Sequence, residues 1–308
     1  MTGVFSITIP IFLLIAVGHL AFRFRMMEPA HTRALGAFVL NFALPALIVR
    51  SLSDRRPAEI VNARYLVAYG GASLAVFAIV FLIARFARGS EQTRSAIQAL
   101  GASVSNSGFI GYPVAALVLG APAGVALSLN MLFENMALIP VALALAEAGM
   151  GKGAGIAETV RRTASRLIRN PLIIAISIGA ALAFSGLSLP AALVRSIDML
   201  ASASAAVALF AIGGALVGFS AQGLLGDVAL VVVGKLLLHP LAVLAALSFF
   251  PALDPTLRKA ALIFASVPMI TIYPLLGEAY GQGRLSAAAL VAATSVSFVT
   301  ISLLLYIL

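Results

Sequence analysis

Two nine-residue stretches decide how this chain folds. Residues 105–113 read Ser105-Asn106-Ser107-Gly108-Phe109-Ile110-Gly111-Tyr112-Pro113, and residues 266–274 read Ser266-Val267-Pro268-Met269-Ile270-Thr271-Ile272-Tyr273-Pro274. Each interrupts an apolar segment with proline and small polar residues. Laid on one another without gaps, Ser105 meets Ser266, Tyr112 meets Tyr273, Pro113 meets Pro274 and Gly120 meets Gly281. A helix broken inside lipid frees backbone donors and acceptors that lipid cannot satisfy, so breaks survive only where protein, solute or water takes over the bonds. Matched breaks in two halves of a chain are the best sequence pointer to a transporter's binding site.

Working outward, composition excludes most other classes. Hydrophobic residues make up 62% of the 308, and charged residues 10%. Soluble domains carry about a quarter charged residues. There is no cysteine, which excludes disulfides and thiol-based metal or redox chemistry. The net charge of +9 sits mostly between apolar runs, which points to loops beside anionic lipid rather than to nucleic acid. The first apolar run follows only Met1-Thr2-Gly3 and ends at Arg23 and Arg25, the pattern of a spanning segment rather than a cleaved signal.

A span needs roughly 20 apolar residues. Ten candidates follow: 4–22, 33–50, 66–86, 94–119, 124–148, 168–186, 190–218, 227–249, 257–280 and 286–307. The longest polar gap, 149–167, carries Lys152, Arg161, Arg162 and Arg166 and divides the chain five plus five. An odd number of spans per half makes the halves insert with opposite topology. The expected fold is therefore an all-α integral membrane protein of ten transmembrane helices, two inverted five-helix repeats (1–148 and 168–308), with broken helices four and nine. Twelve loop Lys and Arg residues lie in odd-numbered loops and seven in even-numbered ones. That bias predicts both termini outside the cytoplasm and the 149–167 connector inside, in a cell membrane.

Four stretches in this order resemble the auxin efflux carrier family, and within it the bacterial malonate-transporter-like members. They are Asn41-Phe42-Ala43-Leu44-Pro45, the Asn106 to Pro113 break, Phe133-Glu134-Asn135 with Pro140, and Lys235-Leu236-Leu237-Leu238-His239-Pro240. The resemblance covers essentially the whole chain. It implies that helices four and nine cross at their breaks, and that spans three to five and eight to ten move against a scaffold of spans one, two, six and seven. Two departures stand out. Ala206 precedes Leu209-Phe210 where relatives often carry proline, and span three has no acid opposite the span-eight lysine, unlike plant relatives.

The candidate substrate site is Ser105, Asn106, Ser107, Gly108, Gly111, Tyr112 and Pro113 from span four, Ser266, Pro268 and Thr271 from span nine, and Asn41 and Pro45 from span two. Gly108 and Gly111 permit unusual backbone angles. Pro113 suits the first turn of a restarting helix, whose N-terminal amides attract carboxylates. Asn106 adds a neutral donor and acceptor. The plainer alternative is a pair of proline kinks satisfied by neighbouring helices, and Ser266 and Thr271 returning bonds to their own helix.

A second group is Glu134, Asn135, Lys235 and His239. A charge well inside a span costs roughly 3 kcal/mol or more unless paired or hydrated, and is functional by default. Glu134 reads as a proton carrier or as a structural cap. Lys235 and His239, four apart, share a helix face. Lys235 either snorkels, pairs with Glu134, or places its ammonium where sodium sits in related carriers. Gly214 and Gly218 form a small-residue face for internal packing or a dimer seam.

These features point to a secondary transporter of a small organic anion, malonate-like or auxin-like, working by an elevator-type movement. Proton or sodium coupling and a homodimer are the expected partnerships, with a sodium-coupled bile-acid-type symporter and an anion channel as alternatives. Nothing indicates an enzyme, metal or cofactor: the chain has no His-Glu-x-x-His helix, no Gly-x-Ser-x-Gly elbow and no phosphate loop at Gly151-Lys152-Gly153.

Overall fold

The computed structural model describes residues 2–53, 62–151, 165, 168–187, 189–217 and 224–308. Most of the 149–167 connector, and Gly218, lie outside them. The described residues are helical, with no strand among them. In chain order the helices are α1 (Thr2–Arg23), α2 (Pro29–Phe38), α3 (Leu44–Ser53), α4 (Ala63–Leu82), α5 (Gln92–Ser103), α6 (Tyr112–Leu119), α7 (Pro122–Phe133), α8 (Ile139–Gly149), α9 (Pro171–Ser185), α10 (Ala191–Ala215), α11 (Leu225–Val233), α12 (His239–Ser248), α13 (Pro255–Ser266), α14 (Tyr273–Ala279) and α15 (Gly283–Ile307). Several join end to end, and among the described residues seven helical stretches are long and apolar enough to cross a membrane. Two further apolar helices, Ile9–Arg23 and Pro171–Ser185, are shorter. Large apolar side chains such as Leu13, Phe86, Leu241 and Val299 are exposed, an arrangement costly in water and ordinary against lipid chains.

Prolines shape these spans locally. One-turn π segments cover Val39–Ala43, Ser107–Gly111, Glu134–Leu138 and Gly234–Leu238. Each is followed by a helix whose second residue is proline: Pro45, Pro113, Pro140 and Pro240. Proline lacks an N–H, and its ring clashes with the carbonyl four residues back. Widening the preceding turn relieves that clash and leaves the local backbone irregular, as π turns at functional positions do. Glu134 and Lys235 both sit in such turns.

The chain forms two compact units. The first holds Met1–Ala63, Ser107–Leu132 and Ile168–Gly218. Here α1 and α10 approach backbone to backbone through glycines: a Cβ on Gly18 would fall 2.1 Å from the Phe210 carbonyl oxygen, and one on Gly213 would fall 2.0 Å from that of Ile15. Small residues at such contacts are the means by which membrane helices gain packing energy. Gly214 faces Phe22 and Thr32, so it serves packing within the unit. Gly124 of α7 makes room for Ser51 of α3, and Gly179 of α9 for Leu52.

The second unit holds Arg64–Asn106, Phe133–Leu167 and Phe219–Leu308. Its centre is α5, buried continuously from Ser95 to Ser103. Ile97, Leu100 and Val104 pack with Val76, Val80, Val231, Met269, Tyr273 and Ala293. A Cβ on Gly234 would meet that of Ala102 at 2.8 Å, which sets how closely α5 and the π turn after α11 approach. Tyr273, fully buried, donates its hydroxyl to the Ile97 carbonyl over 2.9 Å.

Candidate functional site

Both breaks leave the helix in the same way. After Ser103 the chain turns extended at Val104 (φ −83°, ψ 144°), and after Ser266 it does so at Val267 (φ −79°, ψ 157°). Pro268 explains the second exit, because the residue before proline is pushed out of the helical region. After the first break helix resumes at Ser107 as a π turn that runs into α6, and after the second it resumes at Tyr273; the α-helical starts, Tyr112 and Tyr273, are the pair that the alignment of the two stretches matches. Gly120 and Gly281, also matched, both take left-handed φ, 68° and 71°, a conformation that favours glycine. The helix ends do not keep that register: α13 runs on to Ser266, whereas α5 stops earlier and is followed by a π turn.

The two breaks meet inside the second unit. The Asn106 backbone N–H donates to the Pro268 carbonyl over 2.8 Å, and the Asn106 side-chain amide donates to the Thr271 hydroxyl over 2.8 Å. One residue of the first break thus takes up a backbone acceptor and a side-chain acceptor of the second. This is how unravelled backbone can persist at membrane depth. Asn106 is buried. The Ser266 hydroxyl returns to its own helix, donating to the Leu262 carbonyl over 2.8 Å. Val267, where the first break has Asn106 in the gapless alignment, is buried and apolar. The crossing is therefore polar mainly on the Asn106 side.

Behind the crossing lies a fully buried polar network. Lys235 Nζ donates to Ser105 Oγ over 2.6 Å and to the Ala265 carbonyl over 3.1 Å, and lies 2.6 Å from His239 Nδ1. His239 Nε2 lies 2.9 Å from Ser73 Oγ, which donates to the Tyr69 carbonyl over 2.8 Å. An ammonium has three donors and no acceptor. It therefore makes Nδ1 the acceptor, which leaves Nε2–H to donate to Ser73. Tyr69 Oη lies 2.9 Å from Ser105 Oγ and 3.3 Å from Glu134 Oε1, and the Ser105 N–H donates to the same carboxylate oxygen over 3.2 Å. An ionised carboxylate only accepts. The phenol then gives its single proton to Glu134, and the Ser105 hydroxyl gives its own to the phenol oxygen. Glu134, Tyr69, Ser105 and Lys235 form one directed chain between opposite charges.

Lys235 is fully buried, so it does not snorkel. Ser105, expected beside substrate, spends its hydroxyl and amide on Lys235, Tyr69 and Glu134. Tyr69 and Ser73 escaped the sequence reading. Their signal was present: Tyr65, Tyr69 and Ser73 recur at four-residue spacing, a polar stripe along one face of an otherwise apolar span. The Tyr65 and Tyr69 rings stack at 5.9 Å.

The remaining candidates fall in other surroundings. Asn135 is half-buried beside Glu134. In the first unit Ser107, Gly108, Gly111 and Pro113 are buried, Tyr112 is half-buried, and Gly108 faces Leu44 and Met131. Asn41 is exposed, and its amide donates to the Ala37 carbonyl of its own helix over 2.8 Å; Pro45 is half-buried. Among the described residues no cluster of His, Asp or Glu has the makings of a metal site.

Comparison with known proteins bears on this geometry. The family model described as "Membrane transport protein" matches residues 4–307. A protein of Rhizobium meliloti (strain 1021) described as "Putative malonate transporter" is 33% identical over 311 residues, spanning 100% of this chain and 97% of that one.

Proposed function

Since the chain belongs to the membrane transport protein family, the auxin efflux carrier family, we propose that it is a secondary transporter of a small organic anion, malonate-like or auxin-like. Membership establishes a membrane transporter. The substrate class follows the name of the full-length relative and the chemistry of the crossing. The observation that carries the reading is Asn106, which holds Pro268 and Thr271 of the opposite break at once. A carboxylate arriving there meets a carboxamide donor and a hydroxyl that can exchange partners at small cost, about 1 kcal/mol per neutral hydrogen bond.

The movement we assign is of the elevator type, with spans three to five and eight to ten carrying the substrate. The network of Lys235, Ser105, Tyr69 and Glu134 lies directly behind the crossing, because Ser105 precedes Asn106 in the chain. It fixes the first break from its far side. In this reading Lys235 is a built-in cation and Glu134 its counter-charge.

Purified protein in liposomes, preloaded with unlabelled malonate, tests the proposal. Saturable counterflow of labelled malonate or a related carboxylate is expected. Flux that never saturates would make the protein a channel. Absence of any carboxylate flux or binding across a panel of mono- and dicarboxylates would overturn the substrate class.

A further inference from the structure

An open, polar cleft of about 640 Å³ lies at one end of the second unit, lined by Arg88, Gly89, Ser90, Glu91, Arg94, Asp227 and Gln282. Arg88 donates to Asp227 over 3.0 Å, and Arg94 pairs with the other oxygen of the same carboxylate. The cleft joins the α4–α5 turn, the start of α11 and the α14–α15 turn. One helical turn inward from Arg94 stands Gln98, which is completely buried. Neither its amide nitrogen nor its amide oxygen has a hydrogen-bond partner among the described residues. Buried side-chain amides are rarely left so, and each such case calls for an explanation.

Helical register fixes where Gln98 points. Arg94, Gln98 and Ala102 stand four apart, hence on one face. Arg94 reaches Asp227, and Ala102 lies against Gly234. Gln98 is bracketed between them and faces α11 at the level of Val231. The rise of 1.5 Å per residue puts it about 6 Å deeper than Arg94. Three residues past Ala102 the chain reaches Ser105 and the Lys235 network.

The two unpartnered atoms also limit what Gln98 binds. An anion would accept from the nitrogen and leave the oxygen bare, and a cation would do the reverse. Water both donates and accepts, and a polar site of this kind is where buried water binds. We propose that Gln98 is a water-binding residue, and that the Arg88–Arg94–Asp227 cleft is the mouth of a hydrated path. Water enters the second unit from this end as far as Gln98, short of the Ser105–Lys235 network. The inference does not depend on which anion is carried.

The absence of cysteine makes the test direct. Gln98→Cys and Ala99→Cys place single thiols at adjacent, equally buried positions of α5. Reaction with small, water-soluble 2-aminoethyl methanethiosulfonate is expected to run an order of magnitude faster at position 98. In sealed vesicles a membrane-impermeant reagent of similar width should reach it only from the side that modifies Glu91→Cys at the mouth. Equal, slow reaction at 98 and 99 would overturn the path, as would labelling of 98 from the opposite side alone. Should Gln98→Cys not fold, Val231→Cys on the facing helix takes its place, with the same two outcomes.

Discussion

Lys235 Nζ donates to the Ser105 hydroxyl over 2.6 Å, between two fully buried residues that lie on different halves of the chain. Hydrogen bonds to a charged group contribute about 1.5–3 kcal/mol each. Ser105→Ala removes one of the acceptors that hold the ammonium and also frees the Tyr69 phenol. Stability in detergent should fall by about 2 kcal/mol on that principle. Unfolding followed by a thermal or denaturant scan measures it, and a change near zero would mean that Lys235 is held by Ala265 and His239 without help from Ser105.

Asn106→Ala should behave differently. It deletes a neutral donor at the crossing but leaves the Asn106 backbone bond to Pro268 intact, so stability should drop by only about 1 kcal/mol. Substrate affinity should be strongly reduced or lost. Binding of labelled malonate to folded variant protein is the measurement. Unchanged affinity would move the site away from the crossing.

Close packing around Tyr273 makes a third expectation. A Cβ at Gly101 would fall 2.5 Å from the Tyr273 hydroxyl, whereas one at Gly71 meets nothing within 4 Å. Overpacking a tight core costs about 1–3 kcal/mol. Gly101→Ala should therefore lower the melting temperature clearly, and Gly71→Ala should leave it equal or slightly higher. Equal effects at both positions would contradict the packing described for α5 and α14.

Orientation follows from the loop charges and is read by thiol labelling. Glu91 and Ala121 are both exposed, in an odd-numbered and an even-numbered loop. In intact cells an impermeant maleimide should modify Ala121→Cys and spare Glu91→Cys. The reverse pattern would invert the assigned topology.

Which parts of this molecule could be read from sequence depends on whether local or long-range chemistry decides them. The start of α6 beside Pro113 and the matched glycines Gly120 and Gly281 were legible, because proline and glycine act on their own backbone; the π turn that begins the restart at Ser107 was not. The depth of Glu134 was legible too, from its place well inside a span; Lys235, about eight residues into its span, left snorkelling open until its neighbours were known. Asn41 shows the limit of residue type: its type and place suggested a binding residue, and the bond its amide makes one turn back to Ala37 could not be read from the sequence. Tyr69 and Ser73 were missed because a hydroxyl stripe in an apolar helix gains meaning only once a charged neighbour is known. The grouping of residues 107–132 with the first unit was illegible as well, since it depends on contacts between helices far apart in the chain.

Glu134 offers the sharpest test, because its two roles are read by different measurements. As counter-charge to Lys235, it balances a buried ammonium through Ser105 and Tyr69. Glu134→Gln keeps the shape and an oxygen to accept from Ser105 and Tyr69, but it leaves the lysine charge uncompensated. Breaking a buried pair in this way costs about 3–5 kcal/mol, while replacing both members by neutral groups is often harmless. Glu134→Gln should therefore be markedly destabilised, and Glu134→Gln with Lys235→Met should recover most of the loss. A double variant as unstable as the sum of the singles would show that the two charges are independent. Proton coupling is read separately, in liposomes with the folded single variant. Substrate exchange without a gradient should persist, because a neutral side chain imitates the protonated carboxyl. Accumulation driven by a proton gradient should disappear, because nothing at position 134 can then load or release the proton. Full gradient-driven uptake by Glu134→Gln would remove the coupling role and leave Glu134 as the structural partner of Lys235.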